Sequence, residues 1–510
     1  MSGSVFTIVL GGGISGLSAA LAERRRGREV IVVDERRMPE KRRTPLIAAS
    51  VVVWEDVSDS LILAAKLKLA RIDLIKQKPK VVASPGIPKS HWFYSFFQQS
   101  EVSVVSEVDN AFNELGQPLV GVTGTNGKTT TVNLIHQLLF NAGFPSALCG
   151  NVGYAPSELC ATDNDVSKAS LVVELSSYQL ETSRLAVPKV AVLLNLAPDH
   201  LERHKSLEGY LAAKARIVAV GDRRAKFSVV PAADKLFHGV DFSGSLGHGY
   251  FGSLTEMNML SAPLHVAFDE AESRLHCAYC SVQDLPSDDE CESNAFVTPR
   301  EALIDIAGFK LYGRHNLQNL AAAVMAALFC GASPASIEAT IPLLEPVEHR
   351  LEPVGILDGV FFVNDSKATN LDALFAGYEA ITTRFRPEAV TVLVGGRAKK
   401  EDWKVFAERV AGRINSSIVF GESADMIVES LHKTSQARYY RVGCLEEAVA
   451  KAWGCTPSGG VILLSPGCAS FDAYESFEER GSHFRKIFAH LEQDDSRATC
   501  RCLGDSISAS

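Results

Sequence analysis

One glycine-punctuated stretch constrains this chain more than any other, because few folds provide its setting. The apolar run 118–120 leads into the sequence GTNGKTT at 124–130, and apolar residues then recur at helical spacing from Val132 to Leu139. A strand that turns through glycines into a helix can hold a phosphate, because backbone N–H groups turn inward and the helix N-terminus faces the anion. The sequence therefore predicts an α/β protein that binds a nucleoside triphosphate.

The residue types of this loop suit a triphosphate with magnesium. Lys128 is expected to reach the β- and γ-phosphates, and the hydroxyl of Thr129 is expected to bind Mg²⁺. The common pattern G-x-x-x-x-G-K-[ST] would place its first glycine at 122, where this chain has Val122. The predicted nucleotide contacts are Gly124, Thr125, Asn126, Gly127, Lys128, Thr129 and Thr130.

A second glycine loop lies near the amino terminus. The sequence GGGISG at 11–16 follows the apolar run 6–10 and precedes a predicted helix at 17–25, and the next apolar run, 30–33, ends in Asp34. This fingerprint is typical of dinucleotide sites and raises the alternative of an NAD(P)- or flavin-dependent oxidoreductase. The same geometry accepts any diphosphate, and an acid at the end of the second strand can bind any ribose or uridine hydroxyl. Both interpretations therefore stay open at this point.

Strand and helix signals alternate along most of the 510 residues, which leave room for three domains of roughly 150 residues each. We predict an N-terminal Rossmann-like domain at 1–106, a central P-loop domain at 107–345 and a C-terminal Rossmann-like α/β domain at 346–492. The tail 493–510 has no periodicity and is expected to be disordered.

The alternation also predicts individual elements. In the first domain it predicts a further strand within 46–54, a helix near 59–76 and a strand at 80–83. In the central domain the pattern blurs between 227 and 306 into short strands and turns, and the acidic stretch 281–294 is expected to be a surface insertion.

Polar residues follow the later strands of the central domain. Glu174 ends one apolar run, Asn195 ends the next, and Asp199 and His200 lie in the loop after it. Lys214 falls in a predicted helix at about 206–220. Because the carboxyl ends of parallel strands meet at one edge of a sheet, these residues together predict a metal and phosphate site.

The overall composition excludes some classes of protein. A net charge of −9 argues against a general nucleic-acid binder. The sequence contains no run of eighteen or more apolar residues, so it predicts no membrane span. The eleven cysteines, odd in number and scattered, suit reduced thiols better than a disulfide framework. We expect a cytoplasmic protein.

The remaining motifs form a recognisable set. They are ASPGI at 83–87, ELSSYQLE at 174–181, NLAPDH at 195–200, GRHN at 313–316, NDSKATN at 364–370 and LSPGCASFD at 464–472. Together with the phosphate loop, and in this order over residues of about 5 to 490, they make the chain resemble the Mur ligase family. These are ATP-dependent enzymes that add amino acids to the cytoplasmic precursor of bacterial peptidoglycan. The sequence at 364–370 selects the branch that adds D-glutamate.

The resemblance implies a ligase activity. It implies that D-glutamate is joined to UDP-N-acetylmuramoyl-L-alanine through an acyl phosphate made from ATP, with two Mg²⁺ ions and no nucleic-acid partner, in a monomer. A sister Mur ligase or a folylpolyglutamate-synthase-like enzyme is the alternative within the ligase class, and the residues at 365–369 argue against both. A non-catalytic ATP-binding scaffold would be expected to have lost Lys128, Glu174 or His200, and the chain keeps all three.

The resemblance also assigns residues. For the UDP substrate it implies Ile14, Ser15, Gly16, Asp34, Glu35, Arg36, Ser84, Pro85, Gly86 and, in the central domain, Asn151. Besides the phosphate loop, it implies for ATP the residues Asn319, Arg350 and Asp365. Thr129 and Glu174 would bind the first Mg²⁺, His200 the second, and Lys214 would act as a carbamate. The catalytic set is thus Lys128, Glu174, His200 and Lys214.

For D-glutamate the resemblance implies Lys367, Thr369, Lys399, Ser470 and Phe477. Lys399 is chosen over its neighbour Lys400. Arg397 departs from the family pattern, which commonly has an acidic residue there.

Overall fold

The computed structural model describes residues 6–160, 169–234, 236–237, 240, 247–260, 262–281, 298–311, 313–398, 402–434 and 436–493. The chain forms two compact units, one of Met1–Phe309 with Leu317–Leu344 and one of Lys310–Asn316 with Glu345–Ser510. The domain boundaries expected after residues 106 and 345 stay predictions. None of the described helices combines the length and the apolar character that crossing a bilayer requires.

The amino-terminal part of the first unit is a parallel sheet with helices between its strands. The strands are β1 Thr7–Leu10, β2 Val30–Val33, β3 Val52–Trp54, β4 Lys80–Ala83 and β5 Val104–Ser106. The helices are α1 Ile14–Arg25, α2 Glu40–Ala48, α3 Ser60–Leu69, α4 Leu74–Gln77 and α5 Trp92–Gln99. The strand order is β3-β2-β1-β4-β5, and β1 and β2 are buried along their whole length, as parallel strands covered on both faces should be.

Two elements of this sheet differ from the sequence prediction. The strand expected within 46–54 occupies only Val52–Trp54, because residues 46–48 complete α2 and Leu46 is buried on its inner face. The helix expected at 59–76 is split into α3 and α4. The split lies at Arg71, which has a φ of 56°, and the carboxylate of Asp73 then caps a new helix.

The central part of the first unit is a larger sheet. Its strands are β6 Val120–Thr123, β7 Ser146–Gly150, β8 Ser170–Glu174, β9 Val190–Leu193, β12 Phe227–Pro231, β13 Gly247–Ser253, β14 His265–Asp269, β15 Arg274–Tyr279 and β16 Arg300–Asp305, with β10 Ala219–Val220 and β11 Arg223–Arg224 as a separate hairpin. Its helices are α6 Glu107–Leu115, α7 Lys128–Asn141, α8 Pro156–Leu159, α9 Ser177–Thr182, α10 Leu201–His204, α11 Leu207–Ala215, α12 Leu254–Leu260, α13 Arg314–Phe329 (of which 317–329 belong to this unit) and α14 Pro334–Thr340.

In the described residues this sheet has the order β16-β15-β14-β13-β12-β9-β6-β8-β7, parallel except where β15 pairs with β14 and β16. The described strands within 227–306, a region that the sequence left blurred, thus extend the sheet. The insertion expected at 281–294 lies, apart from residue 281, outside the described residues, and so does the expected tail after residue 493. On one face α7 and α13 pack on the strands, and the alanines of α13 are fully buried there. The other face packs against a second core that includes Val108, Leu180 and Ile217.

The second unit contains a third sheet. Its strands are β17 Glu352–Leu357, β18 Val360–Asn364, β19 Val390–Gly395, β20 Ser416–Phe420, β21 Tyr439–Arg441 and β22 Val461–Leu464. Its helices are α15 Leu371–Thr382, α16 Trp403–Val410, α17 Ala424–His432, α18 Leu445–Cys455 and α19 Phe477–Gln493. The order is β17-β18-β22-β19-β20-β21, parallel except for β17. The motifs at 364–370 and 464–472 therefore start at the carboxyl ends of adjacent strands, β18 and β22.

Candidate active site

The phosphate loop leaves β6 and opens α7, as the sequence predicts. Gly124 and Gly127 have φ values of 154° and 84°, which L-residues with a side chain rarely adopt. A Cβ at Gly127 would lie 2.3 Å from Oδ1 of Asn319, so a larger residue would also have to displace that buried side chain. Asn195 clamps the loop, accepting from the Asn126 N–H at 2.8 Å and donating to the Asn126 carbonyl at 3.0 Å. Side chains from two other segments, Asn195 and Asn319, therefore lie against the loop.

Lys128 is the first residue of α7. Its ammonium donates to the carbonyl oxygens of Gly124 and Thr125, both at 2.8 Å. The cation therefore lies over the concave face of the loop, where phosphate oxygens would be bound. Thr130 and Thr131 continue the helix and are buried beneath the loop, where the Thr131 hydroxyl donates to Oδ1 of Asn319 at 3.3 Å.

Glu174, at the end of β8, accepts hydrogen bonds from two polar side chains. Its carboxylate accepts from the Thr129 hydroxyl at 2.7 Å through Oε2 and from the Asn151 amide at 3.0 Å through Oε1. Glu174 is only 2% exposed. Hydroxyl and carboxylate oxygens are the donors that Mg²⁺ prefers, so Thr129 and Glu174 fit the magnesium role expected of them. The contact with Asn151 also brings one predicted substrate residue beside this group.

Lys214 lies on α11 and is 1% exposed. Its ammonium donates to the Gly124 carbonyl at 2.7 Å and lies 4.4 Å from the centre of the Tyr210 ring. Among the described residues it forms no ion pair. Burial, followed by the nearby positive charge of Lys128, lowers the pKa of Lys214 to about 6. A buried amine that is neutral at physiological pH suits a nucleophile, such as one that adds CO₂ to form a carbamate.

His200 lies in the loop after β9, with a φ of 52°. Its side chain is 44% exposed, and its Nε2 is 3.5 Å from Oδ2 of Asp199. Its Nδ1 is 3.1 Å from the hydroxyl of Tyr178. The Asp199 charge also acts on Lys214, so the loop that carries His200 belongs to the same electrostatic site.

The first glycine loop, at 11–16, forms a cradle of its own at the carboxyl edge of the amino-terminal sheet. The N–H of Gly12 donates to Oδ2 of Asp34 at 2.6 Å, and the N–H of Arg36 donates to Oδ1 of the same residue at 2.8 Å. The Ser84 hydroxyl donates to the Gly11 carbonyl at 3.0 Å. A Cβ at Gly16 would lie 1.8 Å from the Gly11 carbonyl oxygen, so only glycine allows this approach.

The other predicted substrate residues lie around this cradle. Ile14 is 75% exposed at the first turn of α1, and Ser15 follows it there. Oε1 of Glu35 accepts from Trp92 Nε1 at 2.8 Å and lies 3.1 Å from Nε2 of His91. Pro85 and Gly86 form the turn after β4.

The second unit brings most of the predicted D-glutamate residues to one edge of its sheet. The ammonium of Lys367 lies 4.0 Å from the centre of the Phe477 ring. Ser470 is buried, and Thr369 lies in the loop before α15. Lys399 and Lys400 fall outside the described residues, so the choice between them stays a prediction. Arg397 pairs with Glu422 at 2.9 Å.

Asp365 and Arg350 were assigned to ATP. Asp365 is buried just after β18. Its carboxylate accepts a hydrogen bond from the Ser465 hydroxyl at 2.9 Å and another from the Leu351 N–H at 3.3 Å. Burial raises the pKa of the Asp365 carboxyl to about 7. Arg350 lies in the turn before β17 and contributes a positive charge that opposes this rise.

Sequence reasoning missed Arg480, which is fully buried in α19. Its guanidinium donates to the Ser366 carbonyl at 2.8 Å and to the Cys468 carbonyl at 3.1 Å, so it joins the loops that follow β18 and β22. An arginine on a helix is usually a surface residue, and nothing in the local pattern marks this one as buried.

Comparison with known proteins gives consistent matches. The Mur ligase middle domain matches residues 122–243, and the domain described as "Mur ligase, glutamate ligase domain" matches residues 349–468. A UDP-N-acetylmuramoylalanine–D-glutamate ligase from Rippkaea orientalis is 32% identical over 496 residues, which are 95% of this chain and 99% of that protein. One of the same name from Synechocystis sp. is 32% identical over 94% of this chain and 97% of that protein.

Solved structures agree at the level of the fold. The UDP-N-acetylmuramate–alanine ligase MurC from Thermotoga maritima has a TM-score of 0.54 at 16% identity, over 96% of this chain and 99% of that one. The MurF ligase from the same organism, solved in complex with ADP, has a TM-score of 0.53 at 18% identity, over 97% and 99%.

Proposed function

The chain belongs to the Mur ligase family, and we propose that it is an ATP-dependent ligase that joins D-glutamate to UDP-N-acetylmuramoyl-L-alanine. The curated relatives named as D-glutamate ligases match nearly the whole chain at about one-third identity, and 16–18% identical sister ligases share its fold. The observation that carries the proposal is the group around the phosphate loop, in which Lys128, Thr129, Glu174 and the buried Lys214 converge.

This group suits phosphoryl transfer better than dinucleotide redox chemistry. The oxidoreductase alternative accounts for the loop at 11–16 and for Asp34, but it gives no role to a second cradle with a lysine, a hydroxyl and a carboxylate. The first cradle offers backbone N–H groups and one acid, which can bind a diphosphate and a ribose hydroxyl without reacting with them. We therefore assign it to the UDP part of the substrate.

The reaction joins two anions, so its main requirement is neutralisation of charge and positioning. A carboxylate oxygen of the UDP substrate attacks the γ-phosphorus of ATP, the bond to the β,γ-bridging oxygen breaks, and ADP leaves. Lys128 would hold the β- and γ-phosphates during this transfer. Mg²⁺, when bound by Thr129 and Glu174, would withdraw charge from the phosphate oxygens.

The second half of the reaction forms the amide. The nitrogen of D-glutamate attacks the carbonyl carbon of the acyl phosphate, the C–O bond to phosphate breaks, and inorganic phosphate leaves with its electron pair. The amine releases its protons to solvent or base. In the second unit, Lys367 and the ring of Phe477 are proposed to bind D-glutamate, with Ser470 and Thr369 beside them.

Two further assignments rest on the same proposal. Lys214 is proposed to carry a carbamate, since a neutral buried amine can add CO₂ and the product is an anion next to the magnesium donors. His200 is proposed as a ligand of a second Mg²⁺. A monomeric state and a cytoplasmic location are likewise carried over from the sequence as predictions.

The test is release of phosphate from Mg-ATP with UDP-N-acetylmuramoyl-L-alanine and each amino acid offered separately. We expect release that requires D-glutamate. Release with a different amino acid, or only with a longer UDP-peptide or a folate, would move the enzyme to a sister ligase. Absence of turnover combined with tight NAD(P)H binding would favour the oxidoreductase alternative.

A further inference from the structure

The residues proposed to bind D-glutamate come from separate segments of the second unit. Lys367 and Thr369 follow β18, Ser470 follows β22, and Phe477 opens α19. Loops at the carboxyl edge of a parallel sheet are less restrained than the strands that they leave. A site built from several such loops therefore needs groups that fix the loops relative to one another.

The side chain of Arg480 contacts two of these loops at once. Its Nη2 donates to the carbonyl oxygen of Ser366 at 2.8 Å and to that of Cys468 at 3.1 Å. Its Nη1 also donates to the Cys468 carbonyl, at 3.1 Å. Ser366 is adjacent to Lys367, and Cys468 is two residues before Ser470. One planar group thus connects the loop after β18 with the loop after β22.

The hydroxyl of Ser366 extends this connection to the start of α19. It accepts from Nε of Arg480 at 3.0 Å and donates to the Phe477 carbonyl at 2.8 Å. Phe477 and Arg480 lie on the first turn of the same helix. The residue that supplies the aromatic ring is therefore fixed to the loop that supplies Lys367.

The loop after β19 lies against the same guanidinium. A Cβ at Gly396 would lie 3.1 Å from Nη1 of Arg480 and 2.4 Å from the Ala469 carbonyl oxygen. The backbone of the next residue, Arg397, donates to the Ala469 carbonyl at 2.8 Å and accepts from the Ala469 N–H at 3.0 Å. Three loops and the start of one helix thus meet around Arg480.

The charge of Arg480 is not compensated in the usual way. The residue is fully buried, and in the part of the chain that the structure describes it forms no ion pair. Its hydrogen-bond partners are two backbone carbonyls and a hydroxyl. A buried cation without a carboxylate is a costly way to stabilise a fold. A planar guanidinium, however, holds several acceptors in a fixed relative geometry.

We propose that Arg480 is a positioning residue for D-glutamate. Its guanidinium sets the relative positions of the loops after β18, β19 and β22, so that Lys367, Ser470 and Phe477 can meet around one substrate. The inference rests on the proposed ligase function. Lysine cannot replace Arg480, because one ammonium nitrogen lacks the planar fork that spans the acceptors of both loops.

The decisive variant is Arg480→Lys, which keeps the positive charge and removes the planar fork. The matched control is Thr391→Val, near the amino end of β19 and thus at the opposite edge of the same sheet. The Thr391 hydroxyl is fully buried, lies 2.7 Å from the Thr456 hydroxyl and accepts from the Asn415 amide at 2.9 Å. This control removes buried hydrogen bonds without changing the loops.

Steady-state kinetics of phosphate release test the effect on the substrate. Arg480→Lys should raise the KM for D-glutamate about tenfold, while kcat at saturating D-glutamate stays within about threefold of the wild type. The KM for the UDP substrate, which is assigned to the first unit, should not change. Ser366→Ala, which removes only the hydroxyl link to Phe477, should raise the KM for D-glutamate about threefold. Thr391→Val should leave this KM unchanged even where it lowers the Tm.

Hydrogen exchange of the full chain without substrate, followed by mass spectrometry, tests the connection itself. Peptides that cover 364–370 and 464–472 should exchange about tenfold faster in Arg480→Lys than in the wild type, because the loops lose their common donor. In Thr391→Val the same peptides should exchange at the wild-type rate.

A wild-type KM for D-glutamate in folded Arg480→Lys, or wild-type exchange of both loops, would overturn the inference. An equal rise of this KM in Thr391→Val would overturn it too, because general loosening of the unit would then suffice. If Arg480→Lys does not fold, Ser366→Ala decides: a raised KM supports the inference, and a wild-type KM contradicts it. Failure of the proposed function is distinguishable, because the wild-type chain would then release no phosphate with D-glutamate.

Discussion

Both glycine loops of the first unit follow a buried parallel strand and open a helix, yet their side-chain surroundings differ. The loop at 11–16 has an acid opposite it, Asp34, which already accepts from the N–H of Gly12. The loop at 124–130 carries a lysine and a hydroxyl and has the carboxylate of Glu174 and the amine of Lys214 against it. The same order of strand, glycine loop and helix is therefore proposed to bind a diphosphate in one place and to support phosphoryl transfer in the other.

The buried charges near the two loops show the same contrast. Glu23, on the helix that follows the first loop, is surrounded by donors. Burial by itself would raise its pKa, but hydrogen bonds from Arg28 and Asn110 and the charge of Lys80 lower the pKa to about 2. Lys214, beside the second loop, has a carbonyl as its hydrogen-bond partner and a pKa lowered to about 6. A fully paired charge stabilises a fold, whereas an incompletely compensated one marks a reactive group.

The largest effect is expected from Lys128→Ala. Removing the cation of the second loop should lower the rate of phosphate release by about 10³-fold or more, because the charge that develops on the transferred phosphoryl group loses its stabilising partner. Calorimetric titration with the UDP substrate should give the wild-type affinity. A parallel loss of UDP-substrate affinity would mean that the two loops do not have separate roles.

Lys214→Ala should lower activity by about 10²-fold or more, since an anion expected beside the magnesium donors is missing. Short carboxylic acids such as formate should restore part of the activity of this variant and none of that of Lys128→Ala. Full activity of Lys214→Ala without any additive would contradict the proposal that Lys214 carries a carbamate.

Glu23→Gln tests the charge beside the first loop. It should lower the free energy of unfolding at pH 7 by about 3 kcal/mol, because three half-buried cations lose the buried carboxylate that they share. The folded-state pKa is depressed, so the contribution of Glu23 is present above its unfolded value of 4.5 and is lost as the pH falls through 2. Urea unfolding at pH 7 and pH 3 should therefore show a smaller difference between variant and wild type at pH 3.

The smallest effect is expected at the first loop itself. A Cβ at Gly16 would overlap the Gly11 carbonyl, whereas a Cβ at Gly13 has no atom within 4 Å, so the two alanine variants form a matched pair. Gly16→Ala should raise the KM for the UDP substrate about tenfold, which is about 1.4 kcal/mol, with the KM for ATP unchanged. If Gly16→Ala and Gly13→Ala have the same KM for the UDP substrate, the close approach of Gly16 to the Gly11 carbonyl does not determine the shape of the site.

Local patterns predicted the strand–loop–helix units well. The strands β1 and β8 and the two glycine loops lie where the pattern placed them, whereas β6, Val120–Thr123, starts two residues later than the predicted run 118–120. The periodicity of the sequence failed to predict elements whose structure depends on residues far away in the chain. Residues 46–48 form the end of a helix. Strand β13 carries three glycines, and β15 and β16 carry polar residues whose pairing partners lie on other strands.

The sequence by itself determined the two glycine loops and the family to which the motifs belong. It also determined the polar residues at the ends of strands, namely Asp34 after β2, Glu174 at the end of β8 and His200 after β9. These features depend on residue type and spacing along one segment. Only the tertiary structure decided that Asn195 clamps the phosphate loop, that Lys214 is buried against Gly124, that Arg480 joins two loops of the second unit and that Tyr178 contacts Nδ1 of His200. Each of these contacts joins residues far apart in the chain, and burial and protonation depend on such neighbours, which spacing along one segment does not reveal.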